Sequence, residues 1–240
     1  MATDKTEDNL SLSRVAYQRL RGEILAGTFA PDMPLRLEFL RERYGISFSP
    51  LREALSQLQV ERLVSATSNR GFRVAPVSLE EMWDAINARI LIEAEALRLS
   101  VEYGDDLWEG NIVSSFHALD KSRQRLLDAE DGSLTDLELI ESRHQHFHQM
   151  LLAACPSALL LQMSATLYAQ TERYRRPLLS RASPETVGSK GPHDDHRAMM
   201  SAALARDVVA AVDLLRRHLT ATGRFIQANS EAREKEMVAA

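Results

Sequence analysis

The chain has 240 residues, 45% of them apolar and 26% charged, a balance that supports a packed core and excludes a disordered or low-complexity polymer. No apolar run approaches the roughly 18 residues of a membrane helix, and residues 1–9 are acidic and polar where a secretory signal would be basic and then apolar, so a cytoplasmic protein without membrane contact is expected. The net charge of −5 is uneven: residues 1–76 carry 11 Lys and Arg against 9 Asp and Glu, while the other 164 carry 18 against 25 and all seven histidines. The first third is therefore the part suited to phosphate, and the rest has a different task. The single cysteine, Cys155, has no CxxC neighbour and reads as a buried thiol.

Residues 1–10 read as a disordered tail. Leu12, Ala16, Leu20 and Ile24 recur every fourth position and predict a helix over about 13–26, ended by Gly27. Residues 29–34, with two prolines, read as a turn-rich loop, and a short helix over about 38–44 stops at Gly45. Ser49 as cap and Pro50 as first residue open the next helix, whose apolar face is Leu51, Ala54, Leu55 and Leu58. Helix, short break, helix is the helix-turn-helix pattern. Residues 63–67 and 72–75 then alternate as two strands around the basic tip Ser68-Asn69-Arg70-Gly71, a hairpin wing. The domain over 11–76 ends at a linker, and Ser78 with Glu81 forms a capping box for a long helix. From there the pattern is helical, over about 79–103, 106–130, 134–154, 157–180, 184–205 and 207–230, with 231–240 fraying. The expected fold is mainly α: a winged helix-turn-helix domain over 11–76 and an all-α bundle over 77–230.

A helix-turn-helix places the N-terminal end of its second helix in the major groove, which singles out Ser47, Phe48, Ser49 and Arg52. Arg52 lies opposite the apolar face, where a guanidinium can bond guanine or phosphate. Arg36, Arg41 and Arg43 on the preceding segment, with Arg70, Gly71 and Arg73 on the wing, are candidates for backbone contacts. Each arginine alone also fits an ordinary solvated face; it is their arrangement that points to DNA.

Residues 11–75 resemble the winged helix-turn-helix domain of GntR-type bacterial transcription regulators. Ser47-Phe48-Ser49-Pro50-Leu51-Arg52-Glu53-Ala54-Leu55 is similar to the family's recognition-helix segment, and Leu58, Glu61, Leu63-Val64 and Asn69-Arg70-Gly71 continue it in register. At Phe48 the family usually carries an Arg that touches bases, so a different operator preference is implied; Phe48 suits a thymine methyl group or packing on the turn. The remainder resembles the FadR-type C-terminal ligand-binding domain (FCD), through Arg89-Ile90-Leu91-Ile92-Glu93, Phe147-His148, Asp195-His196 and Arg217-His218-Leu219. That resemblance implies a divalent metal held by an acidic residue and three histidines, and a small carboxylate effector.

From the residues themselves, His144 and His148 share one helix face at i, i+4, and His196 and His218 lie on two later helices that can close a ligand shell across a bundle. Where the family usually has Asp, this chain has His144. An all-nitrogen set favours zinc, nickel or copper over magnesium or calcium; zinc or nickel is expected. The alternative is a polar core that hydrogen-bonds internally without metal. His146 and His193 are expected to be exposed or to stand behind the ligands, and His117 has no assigned role. Arg89 either anchors a carboxylate effector or pairs with Glu93 at i+4.

Together these features predict a homodimeric regulator that is not an enzyme, binding a two-fold symmetric double-stranded operator under control of a small organic acid. A metal sensor, in which the ion itself is the signal, fits parts of the same pattern. So does a metal-dependent hydrolase with Glu141 as base, although the HExxH glutamate is absent.

Overall fold

The computed structural model describes residues 2–67, 71–128, 134–179 and 190–239. The helices are α1 (Ala2–Leu25), α2 (Leu37–Tyr44), α3 (Phe48–Val60), α4 (Leu79–Tyr103), α5 (Asp106–Asp128), α6 (Leu134–Leu152), α7 (Ala158–Leu179), α8 (Lys190–Leu204) and α9 (Val208–Ala239), with strands β1 (Val64–Thr67) and β2 (Gly71–Val74) between α3 and α4. The chain falls into two compact units, Met1–Ser78 with Glu172–Pro177, and Leu79–Thr171 with Leu178–Ala240.

In the first unit, α1 lays Ala16, Leu20, Ile24 and Leu25 against α3, whose Leu51, Ala54, Leu55 and Leu58 are wholly buried. Ala16, Leu20 and Ile24 of the face read from the sequence thus pack, as does the whole predicted face of α3, whereas Leu12, expected on the same side of α1, is exposed. Gly27 ends α1 in the left-handed region at φ 76, with Thr28 N–H reaching back to the Glu23 carbonyl at 2.9 Å and satisfying an orphan acceptor of the last turn. Gly45 ends α2 the same way, at φ 68. Just beyond α3, Glu61 accepts hydrogen bonds from the Tyr17 hydroxyl and from Arg21 of α1. Burial and the Glu61 charge push the Tyr17 hydroxyl up to about 12.

Four details differ from the sequence reading. The first helix starts at Ala2, so residues 2–10, expected as a tail, continue helical backbone; nothing in them breaks a helix, since they contain neither Gly nor Pro. At the other end α9 runs to Ala239 through the stretch expected to fray. The cap of α3 is Ser47, with extended backbone at ψ 166, and not Ser49. Pro50 consequently sits third in the helix, tolerated because the first-turn N–H groups have no helical partner to lose. Finally, the loop before α2 is partly a strand edge: Val74 N–H donates to the Met33 carbonyl and Leu35 N–H to that of Phe72. The wing is antiparallel, with Val64 opposite Val74 and Thr67 opposite Gly71.

In the second unit α9 packs along α4 and α8, α5 along α6 and α8, and α4 also against α6. The core runs from Leu97 and Val101 of α4 through Ile112 and Phe116 of α5 and Phe147 and Leu151 of α6 to Met199, Leu215 and Leu219. Three short polar side chains cap helix starts: Asp105 accepts from Trp108 N–H, Ser157 from Leu160 N–H and Asp207 from Ala210 N–H. Pro156, between the helices expected over about 134–154 and 157–180, falls between α6 and α7, whereas Gly132 and Pro184 lie outside the described residues.

After α4, Gly104 is pressed against α5. A methyl group there would meet the Trp108 ring at 2.1 Å and the Ser100 carbonyl at 2.7 Å, and the backbone oxygen has nowhere to go. Gly104→Ala is therefore expected to destabilise the bundle by about 1–3 kcal/mol, read as a lower urea midpoint at unchanged slope.

Candidate functional site

The surface that the helix-turn-helix would present to a duplex is assembled within the first unit. Arg36 caps the start of α2, and Ser47, Ser49 and Arg52 are exposed along the first turns of α3. A shallow groove of about 590 Å³ is lined by Arg36, Arg52, Gly71 and Arg73 together with Pro34 and Phe72, so four of the predicted DNA-binding residues border one depression. Arg73 is anchored by donating to the Asp32 carbonyl at 2.8 Å. Phe48 opens α3, and Arg70 lies outside the described residues.

In the second unit the four predicted ligand histidines come together. His144 and His148 on α6, His196 on α8 and His218 on α9 each offer one ring nitrogen, and these four atoms lie within 4.8 Å of one another. His148, His196 and His218 are buried and His144 is half-buried. Nε2 of His148 and Nε2 of His196 are 3.3 Å apart. A tetrahedral ion with metal–nitrogen bonds of 2.0–2.1 Å holds its ligands about 3.3–3.4 Å from each other, so that edge already has the length a bound ion requires. Nδ1 of His144 is hydrogen-bonded to the Tyr168 hydroxyl at 3.0 Å, and Nδ1 of His218 lies 3.5 Å from the Asp195 carboxylate. In both rings Nε2 is then the nitrogen that could face an ion, with the outer partner fixing ring orientation. The bond to His218 holds the Asp195 carboxyl below its usual range.

Arg89 is buried, and both of its outcomes were open on spacing alone. Its Nε and one terminal nitrogen grip the Glu93 carboxylate at 2.8 and 3.2 Å, and the other terminal nitrogen donates to the Thr171 hydroxyl at 2.8 Å. The guanidinium also stacks on Tyr168, 4.8 Å from the ring centre. Glu93 in turn accepts from Ser164 at 3.2 Å. Beside this network is a cavity of about 230 Å³, lined by Glu93, His148, Gln149, Leu152, Ser164 and Tyr168 among others. It touches the histidine cluster through His148 and the buried ion pair through Glu93.

Sequence reasoning missed Tyr168, Thr171, Ser164 and Asp195, because each acquires its role only when α7 and α8 dock. Asp195 carried the one available signal, its place beside His196. Among the other histidines, His117 and His146 are exposed. His193 is buried, not exposed: it lies 3.1 Å from Asp120 and stacks on Phe116. Burial, reinforced by the Arg123 charge, pulls its proton affinity down.

Comparison with known proteins covers both units. Residues 12–74 match the family model of bacterial regulatory proteins of the gntR family, and residues 84–221 match the FCD domain. The chain is 39% identical over 211 residues to the HTH-type transcriptional repressor GlaR of Escherichia coli strain K12, covering 88% of this chain and 94% of that one. It is 38% identical over 209 residues to the HTH-type transcriptional regulator BphR of Paraburkholderia xenovorans strain LB400, covering 87% of this chain and 82% of that one. Among solved structures, E. coli McbR/YncC superposes with a TM-score of 0.75 at 18% identity over 91% of this chain and 98% of that one, a likeness of fold.

The Arg89–Glu93 pair carries a stability consequence. Glu93→Gln leaves a buried guanidinium without its counter-charge and is expected to cost about 3–5 kcal/mol, measured by urea unfolding. The double substitution Arg89→Met with Glu93→Leu is expected to recover most of that loss.

Proposed function

The chain belongs to the GntR family of bacterial regulatory proteins, with an FCD domain, and is a DNA-binding transcriptional regulator; on that premise we propose that its four histidines hold a zinc or nickel ion through which a small carboxylate effector controls operator binding. The observation that carries the reading is the convergence of four largely buried imidazole nitrogens within 4.8 Å. Nitrogen lone pairs aimed at one centre repel each other unless a proton or a cation lies between them, and burial removes the water that would otherwise separate them. A divalent ion relieves that repulsion for all four at once.

The donor set decides which ion fits. Imidazole suits zinc and nickel, while magnesium and calcium require oxygen ligands. A metal held by His144, His148, His196 and His218 would supply an electrophilic point for an anion. With no carboxylate among the four candidate ligands, a bound ion would have none of its charge offset by its ligands, which would strengthen its attraction for an anionic effector. The cavity of about 230 Å³ beside His148 accommodates a molecule of a few heavy atoms, and Gln149, Ser164 and Tyr168 offer hydrogen bonds to its uncoordinated end. Arg89 contributes by fixing Glu93 in the cavity wall, since its own donors are committed to Glu93 and Thr171.

In this reading two chains form a homodimer whose winged heads engage a two-fold operator, and the effector shifts the population between head arrangements that fit the operator and those that do not. GlaR is a repressor by name, and the same sign of control is proposed here, with the effector releasing the operator.

Metal analysis by elemental mass spectrometry, on untagged protein purified without chelator or nickel resin, is expected to find close to one zinc or nickel per chain, and His148→Ala to lower metal content and melting temperature together. Protein that is metal-free, or a variant as loaded and as stable as the parent, overturns the metal assignment. Operator affinity that answers to metal alone and ignores carboxylates makes the chain a metal sensor instead. Arg52→Ala is expected to weaken specific operator binding by about 1–3 kcal/mol with the melting temperature unchanged, measured by fluorescence anisotropy on the operator duplex.

A further inference from the structure

The first residue of the recognition helix is aromatic, and its ring is not part of a core. Phe48 is half-buried, yet it belongs neither to the first unit's apolar core nor to the side chains packed on that core. What lies on it is a cation: the Arg41 guanidinium carbon is 4.9 Å from the centre of the Phe48 ring. Arg41 comes from the last turn of α2, is exposed, and its guanidinium enters no hydrogen bond or ion pair among the described residues. The contrast with nearby arginines is sharp, because Arg43 is tied to Glu23 at 2.9 Å and Arg73 to a backbone carbonyl at 2.8 Å.

We propose that Arg41 and Phe48 form one base-reading unit, in which Arg41 bonds a guanine edge in the major groove and Phe48 is the positioning residue that sets the plane of its guanidinium. The inference rests on the helix-turn-helix reading and adds to it a residue that spacing alone placed among phosphate contacts. Three physical points support it. A guanidinium held over a ring face can lie flat on it and keep its in-plane N–H groups available, and those are the groups that pair with guanine O6 and N7. A mobile arginine suffices for a phosphate, which accepts from many directions; a bidentate base contact needs a fixed plane, and the ring provides it. The unit also lies at the N-terminal end of the second helix of the motif, the end that meets base edges, where Ser47 makes no side-chain cap bond.

The test is selection of binding duplexes from a randomised pool by the purified full-length chain, followed by affinity and salt dependence on the selected duplex. The parent, Arg41→Ala, Phe48→Leu, Phe48→Ala and Arg41→Ala with Phe48→Leu are compared. Arg41→Ala is expected to lose discrimination at one base pair of each half-site, with specific affinity falling roughly tenfold or more. Phe48→Leu, which keeps an apolar side chain but removes the ring, is expected to relax the same base pair with Arg41 still present. The double variant is expected to be no worse than Arg41→Ala alone, the sign of a shared contact. Melting curves confirm the fold, and Phe48→Leu decides the case if Phe48→Ala does not fold.

Three results overturn the proposal. In the first, Arg41→Ala weakens all duplexes uniformly and lowers the salt slope by about one, which makes Arg41 a phosphate contact. In the second, Phe48→Leu leaves discrimination intact, which reduces Phe48 to apolar packing. In the third, the two variants relax different base pairs, so that the residues read independently. A parent chain that enriches no motif contradicts the DNA-binding role itself, and this inference with it.

Discussion

Four imidazole rings facing one another inside a helical bundle impose a condition that the surrounding helices must meet. His144 and His148 ride on α6 one turn apart, but His196 and His218 come from α8 and α9, and all four ligand atoms lie within 4.8 Å. Three helices therefore meet at a fixed point, with the rings in contact at centroid distances of 4.5–6.2 Å. Phe147 beside them is fully buried and packs edge-on against His148 and His196, so apolar walls enclose a polar centre. In such surroundings every nitrogen needs a definite partner. Tyr168 and Asp195 supply two of those partners from outside the cluster, at Nδ1 of His144 and of His218.

The histidine cluster is joined to the second polar feature of the bundle through Tyr168. Its hydroxyl bonds His144 while its ring carries the Arg89 guanidinium, and Arg89 is matched by Glu93, which also faces the cavity. The Arg89 guanidinium thus has its counter-charge within the same helix. The carboxylate of Glu93 and the ring of His148 both line this cavity, so an acidic group and an imidazole border the same space. Such a lining suits a small polar molecule.

Much of this was legible in the amino-acid sequence, and the reasons differ by region. Leu51, Ala54, Leu55 and Leu58 declare the buried face of α3 because local spacing alone decides which side of a helix is apolar. Ser49 was mistaken for the cap because Ser-Pro is a common helix start, yet Ser47 takes the extended conformation two residues earlier. The strand edge at residues 33–35 was hidden by its proline: Pro34 cannot donate, but its neighbours Met33 and Leu35 pair with β2 through their own carbonyl and amide.

At the site, the i, i+4 spacing of His144 and His148 was readable, whereas Tyr168 as a ring anchor was not, since nothing in a sequence says which face of α7 meets α6. Whether Arg89 pairs with Glu93 was likewise settled by distant residues, Thr171 and Ser164, that complete the network. For His193, expected to be exposed or behind the ligands, exposure is excluded by Phe116 and Asp120 on another helix, which set its burial.

The central claim is that these four histidines act together as ligands of one ion, and X-ray absorption on the zinc-loaded chain tests it most directly. The account predicts a first shell of nitrogen at about 2.0–2.1 Å, with the outer-shell scattering of four imidazoles. Zinc surrounded mainly by water and carboxylate oxygen, with one imidazole or none, would contradict it.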